Sequence, residues 1–244
     1  MLFRSGSASK FPHIQGGFRE SFTVDERQAL KVAKALPFTT AAFAEPLSVA
    51  LHALTRAGSV FGKSVLVTGA GPIGAMVVLI CSAMGASKIF VSEPNANRRA
   101  LIESLGVATA VLDPRATDVV AYVKDQTEEG VGVDSAIECS GIEAAFNTCV
   151  AAVRNHGVVT QTGLHVKKAL VDPALWALKD ITIEATWCYP VTMWPRVAGL
   201  IGSGKLPVEK LITGRIEPQD VVEKGFKVLL NPSGRDMKVM VQMH

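Results

Sequence analysis

Between residues 64 and 187, short apolar runs alternate with amphipathic stretches, and no other feature narrows the choice of fold as sharply. SVLVTG, KIFVSE, TAVLD, VDSAIECS, GVVTQTG and ITIEATW each read as a strand. Helices are predicted between them over residues 72–84, 96–105, 117–126 and 143–153, the first two stopping at Gly85 and Gly106. Strands that are apolar on both faces need cover on both faces, and helical crossovers supply it. The pattern therefore predicts an α/β fold with a doubly wound parallel sheet.

The first strand runs into Gly69-Ala70-Gly71-Pro72-Ile73-Gly74, which matches G-x-G-x-x-G. Alone that match is weak. Here it follows an apolar strand and opens a helix, the context in which each glycine has a reason to be there. Gly69 permits the tight turn, Gly71 lets backbone approach a pyrophosphate, and Gly74 lets the helix pack closely on the sheet. Pro72 fits the first helical turn, where its missing N–H is no loss. Helix N-terminal amides then face the phosphates. Glu93 lies 19 residues beyond Gly74, at the end of the second strand. An acid there accepts hydrogen bonds from the adenosine ribose. Its charge repels a 2′-phosphate and so favours NAD over NADP. Asn95, Asn97, Arg98 and Arg99 soften that preference; read without a ligand, they are a solvated helix start.

The flanks are less regular. FRESFTV and QALKVAKAL read as two short strands around a charged turn at Asp25, Glu26 and Arg27. A helix is expected over 39–57, ended by Gly58, with Glu45 and His52 as its notable polar members. After residue 187 the pattern predicts a helix over 194–202, a strand in LITGRI, a helix over 221–230 and a last strand in MKVMVQM. Trp176, Trp187 and Trp194 read as packing aromatics, and His52 as a packed or partly buried histidine. His13, His156 and His165 show no ligand spacing.

Composition excludes several classes. The net charge is +3 and no basic block carries interleaved aromatics, so no nucleic-acid partner is expected. No apolar run reaches the about 18 residues of a membrane span. The opening MLFRSGSASK lacks the apolar core of a signal peptide, so a cytoplasmic location is expected. The four cysteines, Cys81, Cys139, Cys149 and Cys188, show no C-x-x-C spacing and read as thiols in a reducing compartment.

The runs FAEPLSVALHAL, GKSVLVTGAGPIG, GASKIFVSEPNANRRALIESLG and VDSAIECSG resemble the zinc-dependent medium-chain dehydrogenases, in the branch of sorbitol, L-idonate and (R,R)-2,3-butanediol dehydrogenases. The tail TWCYPVTMWPRVAGLIGSGKLPVEKLITGRI is most similar to bacterial butanediol dehydrogenases, and FPHIQGGF to L-idonate 5-dehydrogenases. The resemblance implies a Rossmann sheet over residues 58–203. It also implies a partial, mostly β GroES-like domain contributed by the chain ends, 1–57 (with the linking helix) and 204–244. It implies an NAD-dependent oxidation of a secondary alcohol in a small diol or polyol, with hydride passing to the nicotinamide and a zinc ion acting as Lewis acid. Glu45, in the E-P-L segment, corresponds to a ligand or near-ligand of that zinc. Arg98, five residues after the ribose acid, corresponds to a contact with the adenosine end. Cys139, Ser140 and Gly141, with Thr162, Gly163 and Leu164, correspond to stretches lining the nicotinamide half. A homodimer or homotetramer is implied as well.

One departure limits what can be expected. The family's remaining zinc ligands, a cysteine and a Gly-His-Glu motif, precede this region, as do its four structural-zinc cysteines, and none is in this sequence. The resemblance therefore implies N-terminal truncation, and no catalytic residue is assigned. Three readings stay open: a butanediol- or acetoin-type dehydrogenase, an L-idonate- or sorbitol-type one, and a non-catalytic NAD-binding chain.

Overall fold

The computed structural model describes residues 16–231 and 233–243. FPHIQ and His13 lie outside them. Six parallel strands form the main sheet in the order β3-β2-β1-β4-β5-β6. They are β1 (Ser64–Thr68), β2 (Lys88–Ser92), β3 (Ala110–Leu112), β4 (Val133–Glu138), β5 (Val153–Gln161) and β6 (Thr182–Ala185). This is the doubly wound Rossmann arrangement that the alternating pattern predicts. The helices are α1 (Phe38–Ala41), α2 (Ala44–Ala57), α3 (Pro72–Ala83), α4 (Ala96–Leu105), α5 (Val119–Asp125), α6 (Glu143–Ala152), α7 (Pro173–Lys179) and α8 (Trp194–Gly202).

Side-chain alternation along β1 shows why its run is continuously apolar. Val65 and Val67 enter a core shared with α2, α3 and α8. Leu66, between them, enters the opposite core with Phe90, Val123, Phe146 and Val150. All three are fully buried, each contributing about 1.5–3 kcal/mol of transfer free energy. On α2, Leu47, Ala50, Leu51, Leu54 and Ala57 form one buried stripe at helical spacing. Gly58, at φ 82°, ends the helix where an L side chain would be strained.

Sequence and structure part company in several places. The helix expected over 39–57 is broken, because the Phe43 N–H donates to Thr40 O, three residues back, while the Phe43 ring is buried in the core. FRESFTV and QALKVAKAL form no strands. They run as exposed chain around one short 3-10 turn (Glu26–Gln28) capped by Asp25. With no ladder partner, a short hairpin does not hold. Helix α7 was not expected, although Asp172 caps the Ala174 and Leu175 amides and Pro173 opens the helix. Finally, residues 221–230 begin as a π-helical stretch (Val221–Phe226) before one α turn (Lys227–Leu229). The C-terminal strands are shorter than expected. β7 (Gly214–Ile216) and β8 (Val239–Val241) pair parallel with each other alone. Trp176 packs edge-on against Phe146, and Trp194 lies tilted beside Tyr189. Trp187, read as a packing residue, is 71% exposed. Among the described residues no helix is long and apolar enough to cross a membrane.

Candidate functional site

The C-terminal ends of β1, β2, β4 and β5 meet at one edge of the sheet, with β1 between β2 and β4. In a doubly wound fold this switch point is where a crevice opens. Gly69 leaves β1 at φ 88°, and its N–H donates to Ser92 O at the end of β2. On the other side, Cys139 N–H donates to Thr68 O. The loop is thus tied to both neighbouring strands. A Cβ on Gly69 would stand 2.9 Å from Ser140 Cβ, and one on Gly74 would run into Gly69 O. Gly71 differs. It caps α3, Pro72 follows at the first helical position, and the nearest atom to a Cβ there is Arg98 Nη1 at 3.9 Å. Ile73 packs partly buried against the core. Two glycines therefore allow backbone to close on backbone, while the third leaves open space before a helix N-terminus.

Glu93 is buried beside this loop. Its Oε2 accepts from Ala70 N–H (2.7 Å) and its Oε1 from Asn95 N–H (2.8 Å). Asn95 in turn caps α4 through Asn97 and Arg98 N–H. The Nε of Arg98 is buried with no hydrogen-bond partner among the described residues. Such an orphaned donor beside a glycine loop suits an anionic ligand. Arg99 and Arg115 both reach Asp113, at 3.1 and 2.8 Å. The Arg115 guanidinium and backbone amide, with Arg99 beyond, hold the Asp113 carboxyl far below the usual carboxylate range.

The second half of the crevice is built around Glu138, the last residue of β4, which is fully buried. Its Oε1 accepts from Ser140 N–H, Ser140 Oγ–H and Gly141 N–H at 2.6, 2.6 and 2.8 Å. Its backbone carbonyl accepts from Thr162 and Gly163 N–H. Gly141, at φ 72°, lies so close to the next segment that a Cβ would meet Leu164 O. The Gln161 side-chain amide donates to Gly163 O. Ser140, Gly141, Thr162, Gly163 and Leu164 are thereby brought together, and Leu164 is left exposed. Burial and the Glu138 charge push the Cys139 thiol well up, so it stays protonated. Sequence reasoning missed Glu138, Asp113 and Arg115. Only Glu138 carried a usable signal, since it ends β4 as Glu93 follows β2.

Glu45 sits exposed in the first turn of α2, with Cys188 and Tyr189 as electrostatic neighbours. Burial and the Glu45 carboxylate push the Tyr189 hydroxyl up to about 12. Among the described residues no group of three or more His, Cys, Asp or Glu side chains is placed to hold a metal ion. A catalytic zinc needs about three protein ligands, and Glu45 alone does not meet that. The described residues fit a dinucleotide and do not make up a zinc site.

Sheet order and glycine loop place the chain among the Rossmann-type α/β proteins, and comparison with known proteins narrows the class. Residues 72–203 match the family model of the zinc-binding dehydrogenases. The (R,R)-butanediol dehydrogenase of Saccharomyces cerevisiae is 32% identical over 232 residues, covering 93% of this chain and 61% of that protein. The crystal structure of L-idonate 5-dehydrogenase from Escherichia coli superposes with a TM-score of 0.87 at 26% identity, over 98% of this chain and 67% of that one. A zinc-binding dehydrogenase from Sinorhizobium meliloti, solved bound to NADP, superposes at 0.85 with 28% identity, over 94% and 66%. The chain belongs to the zinc-binding dehydrogenase family. It spans less than two thirds of the length of the curated relatives it matches, 61% of the yeast enzyme.

Proposed function

We propose that the chain is the cofactor-binding part of an NAD-dependent dehydrogenase that oxidises a secondary alcohol of a small diol or polyol, such as 2,3-butanediol. In this reading residues 58–203 carry the cofactor, while 1–57 and 204–244 belong to the GroES-like side. The observation that carries it is Glu93, buried at the end of β2 and hydrogen-bonded to the glycine-loop amide of Ala70. Amides of Gly71, Pro72's successor Ile73 and Gly74 face the pyrophosphate from the start of α3. Glu93 keeps lone pairs for the ribose hydroxyls, and its charge disfavours a 2′-phosphate. Arg98 closes over the adenosine side. Cys139, Ser140, Gly141, Thr162, Gly163 and Leu164 form the wall of the nicotinamide half. Glu45 is the zinc ligand or near-ligand that the resemblance assigns among the described residues.

The lack of a metal-ligand cluster among the described residues favours a second reading: cofactor binding without turnover. One experiment separates the two. NADH fluorescence is titrated with the 244-residue chain, ADP-ribose is used as competitor, and turnover is then assayed with added zinc. The alcohols tested are 2,3-butanediol, sorbitol, L-idonate and L-threonine. Binding with turnover supports the dehydrogenase. Binding without turnover assigns the chain to cofactor binding alone. No binding of either nucleotide overturns both readings.

A further inference from the structure

Glu138 is the most buried acid in the molecule with an unspent acceptor. Its Oε1 takes three donors, while Oε2 has no hydrogen-bond partner among the described residues. Facing Oε2 across 3.4 Å, without hydrogen-bond geometry, is His165 Nε2, which also lacks a partner. The imidazole is held edge-on by the Phe146 ring, 6.3 Å away between centroids. Leaving such groups buried and unsatisfied is costly. What the carboxylate does for that cost is local. The carboxylate ties the Ser140–Gly141 turn at the end of β4, while the backbone carbonyl of the same residue ties the Thr162–Gly163 turn at the end of β5. Little room separates the two turns: a Cβ at Gly163 would run into Gly141 N and lie 2.6 Å from Glu138 Oε2.

These turns lie on the β4–β5 side of the glycine loop, and Glu93 lies on the β2 side. A dinucleotide with its adenosine ribose at Glu93 and its pyrophosphate at Gly71 must lay its other nucleoside over Ser140–Gly141 and Gly163–Leu164. We infer that Glu138 is a positioning residue for the nicotinamide half: it clamps these two backbone turns into one surface, with His165 as its counter-group. The inference rests on the dinucleotide reading above and adds to it a residue that never touches the cofactor.

The test uses two ligands that differ by one group. ADP-ribose carries adenosine, pyrophosphate and a ribose; NADH adds the dihydronicotinamide. Glu138→Gln keeps the volume and one accepting oxygen but removes the charge that strengthens the three bonds there. Loss of charge-assisted bonds to the Ser140–Gly141 turn is expected to weaken NADH binding about tenfold or more, with ADP-ribose affinity within about twofold of wild type. Gly163→Ala keeps the acid but pushes a Cβ against Gly141 N and Glu138 Oε2; it is expected to give the same split, which covers the case in which Glu138→Gln fails to fold. His165→Gln should show a smaller split of the same sign. Equal affinities for NADH in wild type and in both the Glu138 and Gly163 variants would overturn the inference. So would parallel loss of both ligands in a variant whose melting temperature is unchanged, since that marks a general structural role. If wild type binds neither ligand, the dinucleotide reading fails first, which tells the two failures apart.

Discussion

Glu93 and Glu138 stand on opposite sides of the glycine loop, one just past β2 and one at the end of β4. Both are buried and both accept from backbone amides of an adjacent turn. Glu93 spreads its bonds, with one amide on each oxygen. Glu138 concentrates three donors on one oxygen and leaves the other facing an unpartnered histidine. The first arrangement leaves each oxygen with a spare lone pair, which suits the ribose contact proposed for it. The second is turned inward and spends its charge on holding chain segments. Similar placement in the two halves of a doubly wound sheet thus supports two different tasks, ligand recognition and backbone alignment.

The strongest attack on this comparison removes what both halves share. In Gly74→Ala the new Cβ would run into Gly69 O and lie 3.4 Å from Cys139 Cβ, so it disturbs the loop on both sides at once. Overpacking of this kind costs about 1–3 kcal/mol or more. We expect loss of NADH and ADP-ribose binding together, with a lowered melting temperature. A variant that retains both ligands within about twofold would show that the close approach at Gly74 is not needed for the site.

Glu93→Gln sharpens the contrast. The amide must turn a donor toward either Ala70 N–H or Asn95 N–H, so one backbone bond is lost. An unmet buried donor costs about 1–3 kcal/mol. The expected outcome in competition titrations is a loss of about tenfold for NADH and ADP-ribose alike, where Glu138→Gln separates them. A split in the Glu93 variant would place the acid on the wrong half.

Asp113 tests the charge balance around Glu93. It holds Arg99 and Arg115 at 3.1 and 2.8 Å, and both guanidinium groups also reach the Pro94 carbonyl. While Asp113 is ionised, these cations are neutralised beside Glu93, the acid proposed to disfavour a 2′-phosphate. Asp113→Asn frees their charge. The ratio of NADPH to NADH affinity is expected to rise severalfold, and the gain should shrink with added salt. An unchanged ratio at low salt would remove Asp113 from the specificity argument.

How much of this was legible beforehand follows from the range of the interactions. Gly69, Gly71, Gly74 and Glu93 lie in one stretch of chain, and their spacing reflects a single strand–turn–helix–strand unit, so the pattern reads directly. Glu138, Gly141 and Gly163 converge only when β4 and β5 pair, and IECSG and QTG carry no internal spacing that announces it. Their placement came from resemblance for Gly141 and Gly163, and not at all for Glu138. The doubly wound parallel sheet followed from apolar runs that need cover on both faces. The two N-terminal strands failed because β propensity expresses itself only against a partner, and among the described residues 16–36 meet none. Helix α7 was readable from Asp172-Pro173, but none of its seven residues is fully buried, so no apolar periodicity drew attention to it.

The smallest expected effect comes from the other end of the same strand. Asp134 lies near the start of β4, four residues before Glu138, hence about 13 Å away along the strand. It accepts from Ser64 N–H and Oγ–H at 2.8 and 2.9 Å and from Arg154 Nε at 2.8 Å, tying the beginnings of β1, β4 and β5. Burial alone would raise its pKa, but the hydrogen bonds from Arg154 and Ser64, with the Arg154 charge, together lower it. A carboxyl depressed in the folded state stabilises the fold above its unfolded pKa of about 3.9, and that stabilisation is lost as pH falls through the folded value. Asp134→Asn is therefore expected to lower stability by about 1–2 kcal/mol near neutral pH, with the gap to wild type closing as the pH drops below about 4. Thermal melts across that range measure it. Because Asp134 is far from the crevice, NADH and ADP-ribose affinities of the folded variant should match wild type. A split between the two ligands here would mean that any strain on β4 reaches the nicotinamide turns, and would take from Glu138 its particular claim to hold them.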